Sequence, residues 1–332
     1  MSFFKNSCGS IDTPTFFNGV LTEICFSLFE KFNTKNFPKE LTIPTNFVDI
    51  VNYTYSTLKY ELPKINTYDL EKIDVVQNDK NVVVAFSGGL DSVYITLKLL
   101  NEGYIPHLIY VNGMNRCEGN KSFECASEFS KKFNLDLEIV NFKRKGKSDW
   151  LENPFRNELI KSICVDYALE NNYSIIASGE DSKMSVSNIS DILCVCDTIE
   201  CQKLYAIAIN NYTDNKFVFK NTEYASKIEK LKYLDKYDTL DYYYSCTCMY
   251  CNFEQLKNQT KKKFNIEHFV PKQNCLCCRK CTQHMLFLEN IEKVKLSDSY
   301  RDYCWNKVKT SKLNNKYDWS LSRENLINII GD

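Results

Sequence analysis

Histidine is nearly absent: His107, His268 and His284 are the only three in 332 residues. Chemistry that depends on an imidazole acid or base therefore has little to work with. Glycine (10) and proline (7) are scarce too, while Asn, Lys, Tyr, Phe and Ile abound, a bias that reads as coding preference and not as function. Net charge is missing as well. Lys+Arg and Asp+Glu balance at 42 each, so nothing pulls the whole chain toward nucleic acid or an anionic membrane, and any such contact must come from a local patch. No run of about 18 apolar residues occurs, which argues against a membrane span. No basic start followed by an apolar stretch opens the chain, so no signal peptide is expected. These absences predict a soluble, cytoplasmic protein with no membrane partner.

Cysteine, by contrast, is plentiful. Of the 16 cysteines, seven fall between Cys246 and Cys281. A secreted disulfide scaffold is usually shorter and spreads its cysteines more evenly, so reduced thiols with one metal-binding cluster fit better. With 44% apolar and 25% charged residues, the chain can bury a sizeable core.

The periodicity changes along the chain. Residues 1–75 predict a helical N-terminal domain, with an apolar stripe from Phe16 to Leu28 and a second from Phe47 to Tyr55. Residues 76–240 alternate short apolar runs with amphipathic segments. The runs are Val82 to Phe86, His107 to Val111, Leu135 to Phe142 and Ser174 to Ser178, and helices are expected over 91–101, 125–133 and 157–171. Strand then helix at this spacing predicts an α/β fold with a doubly wound parallel sheet. Residues 241–290 form a Cys-rich module and 291–332 read as C-terminal helices.

Between the first apolar run and its helix stands Ser87-Gly88-Gly89-Leu90-Asp91-Ser92. Adjacent glycines let the backbone turn tightly and bring N–H groups against an anion. The helix that follows adds unpaired N–H groups and the positive end of its dipole. Ser87 and Ser92 can donate hydroxyls to phosphate oxygens. Asp91 is misplaced against a bare phosphate and makes sense beside Mg²⁺. Gly146-Lys147-Ser148 echoes the end of a Walker A loop, but Asn141 replaces the glycine needed five positions earlier and Pro154 interrupts the helix.

The full SGGxDS string resembles the signature of the PP-loop ATP pyrophosphatases, a HUP-like fold. The resemblance implies ATP and Mg²⁺ as cofactors, with residues 87–92 as the nucleotide-binding loop and Asp91 as a catalytic residue. Asn153-Pro154-Phe155-Arg156-Asn157 resembles the Pro-x-Arg-Asn motif of the 7-cyano-7-deazaguanine synthases. Gly179-Glu180-Asp181, with Asp191 ten residues on, is similar to that family's acidic loop. Arg156 is thereby expected to grip phosphate or a substrate carboxylate, with Asn157 capping the helix or touching ligand and Gly179 lining the nucleotide site.

Cys275, Cys278 and Cys281 follow C-x2-C-x2-C before an apolar helix, and resemble the zinc module of the same synthases. That module takes a fourth cysteine from upstream: Cys246 is the best match, with Cys248 and Cys251 as rivals. Four thiolates make a closed, structural Zn²⁺ site. His284 in a shifted register, an iron–sulfur cluster or a redox C-x-x-C pair are the alternatives.

Together these features imply a ligase that adenylates a small-molecule carboxylate, releasing pyrophosphate, before ammonia or another amine displaces AMP. The sequence departs from the synthases in lacking their aromatic and Pro-Asp-Cys elements after Asp181, and in its N-terminal extension. RNA or a protein is therefore a further candidate acceptor. A second reading is a tRNA-thiolating PP-loop enzyme, which needs a cysteine near the adenylate, with Cys194, Cys196 and Cys201 as candidates. A third is a nucleotide-sensing protein that binds ATP without cleaving it. The clusters Lys143-Arg144-Lys145-Gly146-Lys147 and Lys261-Lys262-Lys263 lack interleaved aromatics and read as solvated loops, with contact to RNA or another acidic partner as the alternative.

Overall fold

The computed structural model describes residues 3–5, 9–12, 19–32, 37–76, 80–113, 121–144, 153–180, 195–196, 198–214, 216–222, 225–246 and 253–309. In chain order the elements are β1 (Phe3–Lys5), β2 (Gly9–Asp12), α1 (Val20–Lys31), β3 (Glu40–Pro44), α2 (Val48–Thr57), β4 (Lys64–Tyr68), β5 (Asn81–Ala85), α3 (Leu90–Asn101), β6 (Ile105–Asn112), α4 (Lys121–Phe133), β7 (Leu137–Arg144), α5 (Arg156–Glu170), β8 (Ile175–Ser178), α6 (Ile199–Tyr212), β9 (Val218–Lys220), α7 (Lys227–Lys236), α8 (Phe253–Phe264), α9 (Arg279–Asn290) and α10 (Asp298–Lys309). They divide into two compact units. The first comprises residues 1–86, 95–116 and 134–224, and the second residues 87–94, 117–133 and 225–332.

The first unit is built on a seven-stranded sheet of order β1-β2-β7-β6-β5-β8-β9. The five strands from β7 to β9 are parallel, as the wholly apolar runs predict. Val82, Val83 and Val84 of β5 are completely buried, each contributing on the order of 1.5–3 kcal/mol, which holds the strand rigidly at the sheet centre. Chain order reverses between β5 and β8, and crevices outside the carboxyl ends of strands at such a reversal are where α/β sheets take ligands. β5 runs directly toward Ser87, so the glycine-rich string follows the carboxyl end of the central strand.

Residues 1–75 differ from the expected helical domain. They supply α1 and α2, but also β1 and β2, which pair antiparallel with each other and, through β2, with β7. A second, two-stranded parallel sheet joins β3 to β4. Strands of three to five residues carry too little alternation for a period of two to be legible. The α1 stripe packs on α5, and Phe26 and Phe29 meet Phe142 of β7 edge-on at ring distances of 5.8 and 6.1 Å. The first turn of α1 has no cap of its own, because Gly19 stands at its N-cap. Asp166 of α5 substitutes, accepting hydrogen bonds from the backbone N–H of Leu21 (3.3 Å) and Thr22 (2.7 Å). Burial pushes the Asp166 carboxyl up to about 7, against the lowering effect of those bonds.

In the second unit, α7 opens with a capping box between Ser226 and Glu229, and α9 packs against both α7 and α10. Of the expected C-terminal helices, α10 is described, and residues 310–332 lie outside the described residues. Among the described residues no helix is long and apolar enough to cross a membrane.

Candidate active site and metal centre

Residues 87–92 form a turn leading into α3, as the glycines require. Gly88 has φ of +69°, and a Cβ there would sit 2.7 Å from the backbone oxygen of Ser122, so no side chain fits. Its carbonyl accepts a 2.6 Å hydrogen bond from the Tyr244 N–H. Ser87 Oγ accepts from Gly89 N–H (3.3 Å) and lies 3.2 Å from Ser92 Oγ, which donates to Gly89 O at 3.0 Å. These bonds hold the two hydroxyls together on the turn.

Asp91 carries information that its neighbours in sequence do not reveal. Its Oδ1 accepts from Lys227 Nζ at 2.6 Å and Lys230 Nζ at 2.8 Å, both on the first turns of α7. Lys230 is completely buried. Burial alone would raise the Asp91 carboxyl, but the two ammonium groups bring it down to about 2. Two cations around one carboxylate give this corner a net positive charge, suited to a pyrophosphate group. The sequence explains Asp91 only through Mg²⁺; the structure supplies two lysines that sequence reading missed. Their signal was a Lys-x-x-Lys on one helix face, 136 and 139 residues downstream, which nothing local ties to the loop.

Arg156 is the first residue of α5 and donates through Nε to Asn157 Oδ1 at 3.0 Å. Asn157 is not the cap: Phe155 stands at that position, and Asn153 Oδ1 accepts from the Phe155 N–H at 2.9 Å. Gly179 follows the carboxyl end of β8. Asp181, Asp191 and Cys194 lie outside the described residues, as does Gly146-Lys147-Ser148.

A second buried polar centre, in the first unit, went unread in the sequence. Lys161 of α5 lies 3.5 Å from Glu158 and 3.3 Å from Glu180. Burial opposes the Lys161 charge, but Glu180 and Glu158 keep it protonated. Glu158 is pushed by burial up to about 7, and its Oε1 accepts from Cys201 Sγ at 3.4 Å. Burial lifts the Cys201 thiol well above its ordinary range, and Cys196 is buried too. Neither is poised as a nucleophile. A cavity of about 360 Å³, lined in part by Lys161, Ser178, Glu180, Gln202 and Asn221, adjoins this centre.

The four sulfur atoms of Cys246, Cys275, Cys278 and Cys281 lie within 4.8 Å of one another. Cys248 and Cys251 lie outside the described residues. His284 is elsewhere, its Nδ1 at 3.1 Å from the Tyr243 hydroxyl. Cys275 and Cys281 are 3.6 Å apart and Cys246 and Cys278 3.8 Å apart. A tetrahedron with zinc–sulfur bonds of about 2.3 Å has edges of about 3.8 Å, whereas an iron–sulfur cube between the thiolates would hold them further apart. Backbone N–H groups of Cys275, Cys278 and Cys281 point at sulfurs of the set at 3.2, 3.3 and 3.4 Å, as charged thiolates require. The donor set thus fits one tetrahedral ion.

No family model matches the chain. The chain is similar to tRNA-specific 2-thiouridylase MnmA 1 of Bacteroides thetaiotaomicron, 25% identical over 158 residues that cover 37% of this chain and 44% of that protein. It therefore spans less than half the length of this curated relative. Among solved structures it is similar to U34-tRNA thiolase NcsA from Methanococcus maripaludis with its 4Fe-4S cluster. That likeness covers 76% of this chain and 82% of that one, at 17% identity and a TM-score of 0.33, too loose to build on. The similarity to MnmA 1 lends nothing to the deazaguanine-synthase resemblance.

Proposed function

We propose that the protein is a PP-loop enzyme that splits ATP into AMP and pyrophosphate to activate a base of tRNA for modification. The observation that carries this reading is the loop itself: Gly88 held open to backbone approach, with Asp91 between Lys227 and Lys230. The similarity to a tRNA thiouridylase supports RNA as the substrate.

In this reading the N–H groups of the turn and of the start of α3 hold the β- and γ-phosphates, and Lys227 and Lys230 neutralise them. Asp91 would hold Mg²⁺, which would supply further charge neutralisation at the phosphates. A carbonyl oxygen of the base attacks the α-phosphorus as the bond to pyrophosphate breaks. An external nucleophile then adds at the carbonyl carbon, and AMP leaves with the oxygen. Positioning and charge neutralisation supply the catalysis, consistent with a chain of three histidines. The cysteine quartet would hold a structural Zn²⁺.

A second reading, adenylation of a small carboxylate for attack by ammonia, draws on different residues. The described cysteines outside the quartet are buried except Cys277, whose Sγ donates to Cys275 Sγ at 3.5 Å, and Pro154, Arg156 and Asn157 resemble the synthase motif. The deciding experiment incubates purified protein with ATP and Mg²⁺, adding unfractionated tRNA in one arm and 7-carboxy-7-deazaguanine with ammonium in the other. AMP released only with tRNA supports the first reading; AMP released only with the acid replaces it by the second. ATP bound without AMP in either arm defeats both and leaves a nucleotide sensor.

A further inference from the structure

The second unit concentrates positive charge that the chain as a whole does not have. Residues 253–309 hold twelve lysines and arginines against six acids, in a chain that balances at 42 each. Much of it gathers where α8 ends. Lys261, Lys262 and Lys263 are partly or fully exposed, and none of the three forms an ion pair among the described residues. By contrast Arg301 of α10 is spent on Glu289 and Asp298.

The aromatics absent around this lysine run in sequence are present in space. Phe264, half-buried, lies 5.0 Å from the ring of Tyr303 and 5.1 Å from that of Tyr300. Lys263 sits over both Phe264 and Tyr303, and Lys307 of α10 over Tyr303. Beside this stack opens a cavity of about 350 Å³ with Asn265, Glu267, His268, Lys295 and Ser297 on its walls. The His268 Nε2 on that wall is buried without a hydrogen-bond partner. Cations for phosphates, aromatic faces for bases and an unsatisfied polar group in a recess are the ingredients of a single-stranded RNA site.

We infer that the α8–α10 face, centred on Lys261–Lys263, Phe264 and Tyr303, is a docking surface for an unpaired stretch of RNA. This rests on the tRNA reading above and deepens it by naming where the nucleic acid is held. Lysines grip the backbone, and an extruded base stacks against the Phe264–Tyr303 pair.

The test is binding of unfractionated tRNA to the 332-residue chain, followed by fluorescence anisotropy across a salt series. The triple variant Lys261→Gln, Lys262→Gln, Lys263→Gln should weaken binding on the order of tenfold or more, and should lower the slope of log K against log salt by about 2 to 3. A triple Lys→Arg variant should keep both. Phe264→Leu should weaken binding several-fold while leaving the slope unchanged, because stacking releases no counterions. Wild-type protein that fails to bind tRNA at low salt would overturn the RNA reading altogether. Wild-type binding that the triple Gln variant leaves intact would overturn this surface alone. Displacement of tRNA by polyglutamate of equal charge would reassign the face to an acidic protein partner.

Discussion

Lys227 and Lys230 both hold the Asp91 carboxylate, and in the proposed reading a metal would compete for it. Replacing Asp91 with Asn deprives the buried Lys230 of its counter-charge and should cost stability, and should lower AMP formation per folded protein by about a hundredfold or more, measured as pyrophosphate release under saturating ATP; undiminished turnover would remove Asp91 from the chemistry. Because its carboxyl is held near 2, its charge persists through every pH at which the enzyme would be assayed. Asp166 behaves in the opposite sense. Its folded value, about 7, lies above the ordinary 3.8, so between those values the folded chain keeps a proton that the unfolded chain has lost. Stability from this group therefore falls as pH rises through about 4 to 7. Asp166→Asn keeps an acceptor for the first turn of α1 and should flatten that decline by about 1.4 kcal/mol per pH unit, read from urea unfolding at stepped pH. An unchanged slope would mean that Asp166 is ionised in the folded protein. Residue by residue, the loop was legible because its six members are contiguous. Lys227 and Lys230 were not, since only the fold brings α7 to Asp91.

Among elements, the parallel strands stood out in the sequence because strands buried on both faces are continuous apolar runs. β1, β2, β3 and β4 left no such trace. The cysteine module was half legible. C-x2-C-x2-C announces three donors within one turn and a helix start, whereas spacing cannot choose a fourth donor upstream, and it is the chain path that brings Cys246 to Cys278. Protein purified without chelator should carry one zinc per chain by elemental analysis and show no iron–sulfur absorbance. Cys278→Ser should lose the metal and lower the melting temperature by several degrees. Iron and sulfide recovered in cluster ratio would replace zinc, despite the short sulfur–sulfur edges.

For the whole molecule, a net charge of zero conceals an uneven distribution, with the excess of lysine lying beyond residue 252. By compactness, residues 1–86 belong with the sheet, and residues 87–94 belong with the cysteine module. Sequence blocks could not reveal this, because each unit is assembled from three separate segments. The N-terminal residues are consequently part of the sheet's edge. Deleting residues 1–12 removes β1 and β2 and leaves the backbone groups of β7 unpaired along one side. The truncated protein should self-associate, appearing as higher-mass species by light scattering; a monodisperse product of unchanged size distribution would show that β7 tolerates an open edge.

That edge also sets a timetable on the ribosome. β2 needs β7, whose last residue is 144, and the first turn of α1 needs Asp166. At about 5–20 residues per second, β2 and the first turn of α1 wait roughly 7–30 s before β7 and Asp166 have been made. For that interval β2 has only β1 to pair with, and codon usage over residues 12–166 becomes a factor in the yield of folded protein.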